Sequence, residues 1–379
     1  MPNTNSCFHP DWRPDTHAVR TAQPRSQYGE HSEALYLTSS FVQPDAETCA
    51  HNFANPADGY TYTRTGNPTV SSFEQRLAAL EGAEAAVATA SGMSAILLLC
   101  MGLLKAGDHI VCSRSMFGST IRLLGMDMAR FGIEATFVPQ TDLAAWRAAI
   151  RPNTKLLFAE TPTNPLTDLC DIAALAELAH ATGTLLAVDN CFATPVLQRP
   201  LALGADIVVH SGTKFLDGQG RVMGGALCAS RKLVDESFNP VVRTAGMVLS
   251  PFNAWVLLSG LETLYIRQER QSQNAQALAE WLAEIAGKGI VAIDTETTSL
   301  DEMQAGLVGV SICTGPGRAA YLPLGTAETL KQQVVSVALD RAFLADPLPT
   351  DAASFARRVE EGRGRLSLIA QEVARQAGG

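Results

Sequence analysis

From residue 69 to residue 211 the chain alternates one-sided helical patterns with short runs that are apolar almost throughout. The spacing predicts helices at 69–81, 92–105, 119–131, 143–149 and 171–182, and strands at 85–89, 109–113, 134–138, 155–160, 184–189 and 205–210. Runs such as LLFAE and LLAVD lack the polar alternation of a half-exposed strand, as expected of strands covered on both faces. Helix and strand in turn predict an α/β fold with a doubly wound, mostly parallel sheet. In such sheets ligands sit at the carboxyl ends of the strands.

The flanking segments follow other patterns. Residues 1–60 are polar and aperiodic, an arm that needs a partner surface. After GGALCAS (224–230) helical periodicity returns, and 252–286 predicts one or two long helices. Beyond Gly287 the runs KGIVAIDTETTSL, GLVGVSICTG and GRAAYLPLG predict a meander of three short strands. From Thr326 the chain is helical in pattern and rich in Arg, Glu and Ala. Four regions result: an arm at 1–60, a large domain at 61–287, a β fragment at 288–325 and a helical tail at 326–379.

Composition narrows the function classes. At 379 residues, 46% hydrophobic and 18% charged, the chain can bury a large core. A net charge of −9 argues against a protein devoted to nucleic acid or an anionic membrane. The eight cysteines form no C-x-x-C pair, so reduced thiols are expected, with neither a disulfide framework nor a metal site. No apolar signal core opens the chain, and the apolar stretch Ala95–Leu104 is too short to span a bilayer. A cytoplasmic location is the expectation.

The candidate chemistry lies at the strand ends. LLAVDN ends in Asp189, and SGTK ends 25 residues later in Lys214. A carboxylate beside a protonated pyridine nitrogen and a lysine amine within reach of an aldehyde are what pyridoxal-type imine chemistry requires. Taken alone, the Asp also fits a helix cap and the Lys a solvated side chain. Ser91, Gly92 and Met93 lie between a strand and a helix, where backbone N–H groups can cradle a phosphate, although the same tripeptide fits an ordinary turn. GYTYTRTGNPT places Tyr62 and Arg64 two residues apart, a candidate phosphate clamp, and ETPTNP (160–165) forms a proline-stiffened loop after a strand. GQGRVMGG lacks the G-x-G-x-x-G spacing of a dinucleotide fingerprint.

YTR, SGM, ETPTNP, AVDN, SGTK and GLETL occur in the order and spacing of the Cys/Met-metabolism enzymes that depend on pyridoxal phosphate, and residues 16–287 resemble that family. RSMFGST, HSGTKFLDGQGRVMGG and LSPFNAW are similar to its O-succinylhomoserine sulfhydrylase subgroup. The resemblance implies an aspartate aminotransferase-like (fold type I) large domain holding pyridoxal 5′-phosphate. It implies that Lys214 forms the Schiff base and shuttles protons between the substrate's α and γ carbons. Asp189 would pair with the pyridine nitrogen, and Asn164 would lie near the phenolic oxygen. Gly92, Met93, Ser211 and Thr213 would contact the phosphate, with Ser91 opening that motif. Tyr62 and Arg64 would reach the phosphate of a neighbouring subunit, making a dimer or tetramer. Phe117 stands at the ring-stacking position where many relatives carry tyrosine, which excludes a tyrosine acid/base there. The implied reaction is a γ-replacement in methionine biosynthesis: succinate leaves O-succinylhomoserine, sulfide adds and homocysteine is released. A cystathionine γ-synthase or γ-lyase type of activity, and a cofactor-binding chain impaired in turnover, are the alternatives.

The family continues into a smaller C-terminal domain whose serine and arginine grip the substrate's α-carboxylate, and nothing after Gly287 resembles it; Arg318 is the first candidate for a substitute. Residues 290–325 instead resemble the opening strands of the 3′–5′ exonuclease domain of family A DNA polymerases, with Asp294 and Glu296 as its metal-binding D-x-E pair. The later acidic motifs of that domain are absent, so a two-metal nuclease cannot be assembled from this segment. Residues 330–379 are similar to a stretch near the C-terminus of a DEAH-type RNA helicase, without any motor motif. The expectation is a composite chain with its cofactor motifs all before residue 287.

Overall fold

A computed structural model describes residue 9 and residues 11–286, 292–297, 307–315 and 318–323. The chain divides into two compact units, Met1–Gln271 and Ser272–Gly379.

The first unit is built on a seven-stranded sheet. Its strands are β1 (Ala85–Thr89), β2 (His109–Ser113), β3 (Glu134–Val138), β4 (Thr154–Glu160), β5 (Leu185–Asp189), β6 (Ile207–Ser211) and β7 (Gly225–Ala229). Their spatial order is β1-β7-β6-β5-β4-β2-β3. β7 runs antiparallel to both its neighbours, and the pairs from β6 to β3 are all parallel. β1, β2 and β7 are buried at every residue, which is why their sequences are apolar except at the strand ends Thr89, His109 and Ser113. One core face packs Leu98, Leu99, Leu124, Phe158 and Phe238. The other face carries two clusters, one around Phe73, Leu77 and Leu257, the second around Trp146 and the helix Ile172–Ala181.

Side-chain caps set where the helices begin. Asn67 caps Pro68–Glu81 by accepting the Thr69 N–H, and Ser91 caps Gly92–Leu103 by accepting that of Ser94. Asp142 and Asp171 do the same for Leu143–Ala149 and Ile172–Ala181. Gly82, in the left-handed region at φ 75°, ends the first of these helices.

Several expectations are corrected. The arm at 1–60 contains two helices, Pro14–Arg20 and Ala46–Ala54, the second capped by Asp45. Neither has a long apolar stripe, so periodicity does not reveal them. The helix expected at 119–131 is an α-turn at Gly118–Arg122, a wider π-type turn at Leu123–Asp127 and a 3-10 turn at Met128–Phe131. The strand expected at 205–210 starts two residues later, at Ile207, and ends on Ser211. Two helices occupy the long helical region, Pro251–Glu262 and Leu264–Ala286, separated at Thr263.

In the second unit, β8 (Ala292–Thr297), β9 (Leu307–Gly315) and β10 (Arg318–Pro323) form an antiparallel sheet in the order β10-β9-β8. This is the meander the sequence predicts. Asp294 and Glu296 fall on β8 in register with Ser311 and Gly309 of β9. The helical tail expected from Thr326 lies outside the described residues. Among those residues no helix is long and apolar enough to cross a membrane, and no cluster of three metal-ligating side chains occurs.

Candidate functional site

At the carboxyl ends of the parallel strands lies a cavity of about 220 Å³. Its wall includes Ser91, Gly92, Met93, Phe117, Asn164, Asp189, Ser211, Thr213 and Lys214. Nine candidates scattered over more than a hundred residues of chain thus meet in one place.

The wall begins with the turn from β1 into the helix Gly92–Leu103. Ser91 Oγ accepts the Ser94 N–H at 3.1 Å, and the Ser91 carbonyl accepts the Ala95 N–H at 3.1 Å and the Thr89 hydroxyl at 2.9 Å. The N–H groups of Gly92 and Met93 precede that first intrahelical bond and belong to the unpaired positive end of the helix. A Cβ on Gly92 would sit 2.7 Å from Ser211 Cβ, so this backbone approaches the end of β6 more closely than any other residue type allows.

β6 leads into the turn that carries Lys214. The Lys214 N–H donates to the Ser211 carbonyl at 3.3 Å, and the Lys214 carbonyl accepts from Gly218 at 2.8 Å. Thr213 Oγ1 accepts the Gly224 N–H at 3.3 Å, tying the turn to the start of β7. The lysine side chain is left exposed at the cavity.

Two carboxylates close the other side. Asp189 ends β5 and Glu160 ends β4, paired in the parallel register. Asp189 Oδ1 accepts the Cys191 N–H at 3.0 Å, and Glu160 Oε2 accepts the Phe117 N–H at 2.8 Å. Burial pushes the Asp189 carboxyl above its ordinary range. Burial, followed by repulsion from Asp189, pushes Glu160 up to about 7. Two buried carboxyls side by side favour a positively charged guest, which would relieve both.

Tyr62 and Arg64 do not line this cavity. Arg64 stands 5.4 Å over the Tyr62 ring, and its Nη1 donates to the Arg243 carbonyl. Arg64 borders a separate, larger cavity of about 1100 Å³ between the arm, the helix Pro68–Glu81 and β1, whose lining does not include Lys214.

Sequence reasoning missed Glu160 and Cys191, both in the cavity wall. Glu160 carries a legible signal, an acidic residue ending an apolar strand just as Asp189 does. Cys191 carries none. Its Sγ accepts the Ser211 N–H at 2.8 Å, joining the segment after β5 to the end of β6.

The residues present fit pyridoxal phosphate. The backbone-only cradle at Gly92, which a Cβ would fill, and the Ser211 and Thr213 hydroxyls suit a phosphate. Buried Asp189 suits a protonated ring nitrogen, and exposed Lys214 an aldehyde.

The comparisons with known proteins agree on the cofactor. Residues 15–288 match the family described as Cys/Met metabolism PLP-dependent enzyme. The O-succinylhomoserine sulfhydrylase of Pseudomonas aeruginosa is 59% identical over 268 residues, 71% of this chain and 66% of that protein. The chain therefore spans just under two thirds of that relative's length. The L-methionine gamma-lyase of Pseudomonas putida is 34% identical over 370 residues, 92% of this chain and 91% of that protein, an alignment that runs past residue 288. Among solved structures, cystathionine gamma-lyase from Lactobacillus plantarum, complexed with L-serine, is similar with a TM-score of 0.67 and 34% identity, covering 81% of this chain and 80% of that one.

Proposed function

Because the chain belongs to the Cys/Met-metabolism family of enzymes that depend on pyridoxal phosphate, we propose that it catalyses a γ-replacement, converting O-succinylhomoserine and sulfide into homocysteine and succinate. The observation that carries this reading is the meeting of Lys214, Asp189 and the Gly92 cradle in one cavity. The choice of substrate is supported by the likeness to the P. aeruginosa sulfhydrylase.

When bound, the cofactor supplies the electron sink that stabilises charge on the substrate's α-carbon. The protein supplies the rest. The N–H groups of Gly92 and Met93 and the hydroxyls of Ser91, Ser211 and Thr213 hold the phosphate. Asp189 keeps a proton on the ring nitrogen. Phe117 packs on the ring and is itself positioned by the bond from its N–H to Glu160. Having no hydroxyl, Phe117 cannot move a proton. Lys214 Nζ is therefore the base placed to remove the α-proton and then the β-proton that must leave before succinate can depart from the γ-carbon, and to return both once sulfide has added there. Asn164 lines the cavity and serves the phenolic oxygen.

We also read the protein as a homo-oligomer. Tyr62 and Arg64 are absent from their own chain's cavity, which supports a role at a neighbour's phosphate.

The test is direct. Protein purified with pyridoxal phosphate should absorb in the visible, and Lys214→Ala should lose that band together with turnover. Wild type should release succinate and homocysteine from O-succinylhomoserine only when sulfide is present. Succinate release in Lys214→Ala would overturn the assignment. The methionine gamma-lyase likeness favours a second reading, γ-elimination. It predicts 2-oxobutanoate from methionine without sulfide, and that product would displace the first reading.

A further inference from the structure

One strand away from Asp189, two ionisable side chains are completely buried. Glu81 is the last residue of the helix Pro68–Glu81, and His210 lies in β6, next to Ser211. Both side chains are 0% exposed, and His210 Nε2 lies 2.5 Å from Glu81 Oε1. Asn190, which follows Asp189, donates from Nδ2 to the same Glu81 oxygen at 2.9 Å. Asn190 Nδ2 also donates to the Gln198 carbonyl, and Asn190 Oδ1 accepts from Gln198 Nε2, both at 2.9 Å. The Asn190 N–H donates to the Val209 carbonyl at 3.0 Å. The residue after Asp189 is thus held at both ends of its side-chain amide and at its backbone.

A purely structural tie does not account for this cluster. Glu81 Oε2 and His210 Nδ1 are buried without hydrogen-bond partners, an arrangement that works against stability. Apolar residues of like volume would join helix to strand without that penalty. What they could not do is accept the Asn190 amide. Asp189 needs such anchoring: it is buried at the end of β5 beside Glu160, its partner in the parallel register.

We propose that Glu81, His210 and Asn190 are positioning residues for Asp189: the buried Glu81–His210 contact holds the Asn190 side chain, and Asn190 fixes the peptide that carries the Asp189 carboxylate. This rests on the reading that Asp189 faces the cofactor's ring nitrogen.

The experiment compares the affinity of the apoprotein for pyridoxal phosphate with its affinity for the 1-deaza analogue, in which CH replaces the ring nitrogen. The ratio of the two isolates the Asp189 contact from general damage to the pocket. Wild type prefers the cofactor. Asn190→Ala and the double variant Glu81→Leu/His210→Leu, which takes away the Glu81 acceptor of the Asn190 amide, narrow that preference by about tenfold. The double variant replaces both buried partners by apolar groups together, so it folds without leaving one of the pair unpaired, as urea unfolding will show. A wild type without preference would overturn the Asp189 reading itself. A wild-type preference kept in full by the double variant would overturn this proposal and leave that reading standing.

Discussion

Gly225 is the position where the site is most sensitive to a single methyl group. A Cβ there would lie 2.2 Å from the Ser91 carbonyl oxygen, 2.5 Å from the Ser91 carbonyl carbon and 2.7 Å from Thr89 Oγ1. Two of the three are backbone atoms that cannot swing aside. Gly225 pairs with Thr89 on one side and Ser211 on the other, so the strand cannot retreat either. In Gly225→Ala, Ser91 must move by about 1 Å to restore normal contact. That movement strains both bonds its carbonyl accepts, from Ala95 N–H and the Thr89 hydroxyl. Each is worth about 1 kcal/mol, and overpacking adds roughly 1–3 kcal/mol. The expected loss is about 3–5 kcal/mol in urea unfolding of the apoprotein, with weaker cofactor binding in the molecules that still fold. Gly118→Ala is the control. Nothing lies within 4 Å of its added Cβ, and its φ is not positive, so its stability should stay within about 0.5 kcal/mol. A Gly225→Ala protein within about 1 kcal/mol of wild type that binds cofactor equally well would show that Ser91 can give way at no cost.

Two further outcomes are expected. Burial pushes Glu74, which accepts the Ala88 N–H at 2.8 Å, from 4.5 up to about 7. The folded apoprotein therefore holds this proton more tightly than the unfolded chain, and stability falls as pH rises from about 4.5 to about 7, levelling off above. Glu160 contributes with the same sign over the same window. Glu74→Gln keeps the acceptor and should flatten the slope of urea-unfolding stability against pH across that window; an unchanged slope would contradict the assignment. Arg76 is fully buried, pairs with Glu33 and donates from Nε to the Thr21 carbonyl at 2.9 Å, with Glu262 3.8 Å from Nη1. Arg76→Met leaves Glu33 buried without its partner and should cost roughly 3 kcal/mol in thermal or urea unfolding, whereas replacing Arg76 and Glu33 together by apolar residues should recover much of it.

The parts of the fold that were legible in the sequence are those where one physical pattern dominates. β1, β2 and β3 lie at their expected residues, because strands bounded by turn residues announce themselves. Asp189 and Lys214 were legible because each closes a strand or a short motif. The Glu81–His210 pair was not, since its members stand 129 residues apart and each alone resembles an ordinary polar residue. Cys191 was hidden for a related reason: its contact with the Ser211 amide exists only once β5 and β6 lie side by side. The break at Leu123–Asp127 follows helix-compatible residues, and nothing local separates a wide turn from a regular one. The small helix Ala46–Ala54 has no buried residue, so there was no stripe to find.

The place of β7 has a consequence for how this site comes into being. β1 lies at the sheet edge, and its one sheet neighbour is β7. The strand that leads into the Gly92 cradle thus acquires its ladder only when residues 225–229, some 140 positions later in the chain, arrive beside it. During synthesis the central strands can assemble while β1 waits unpaired, a long loop that must close before its contacts form. A nascent chain ending before Gly225 would carry Asp189 and Lys214 and still have no cradle to set them against.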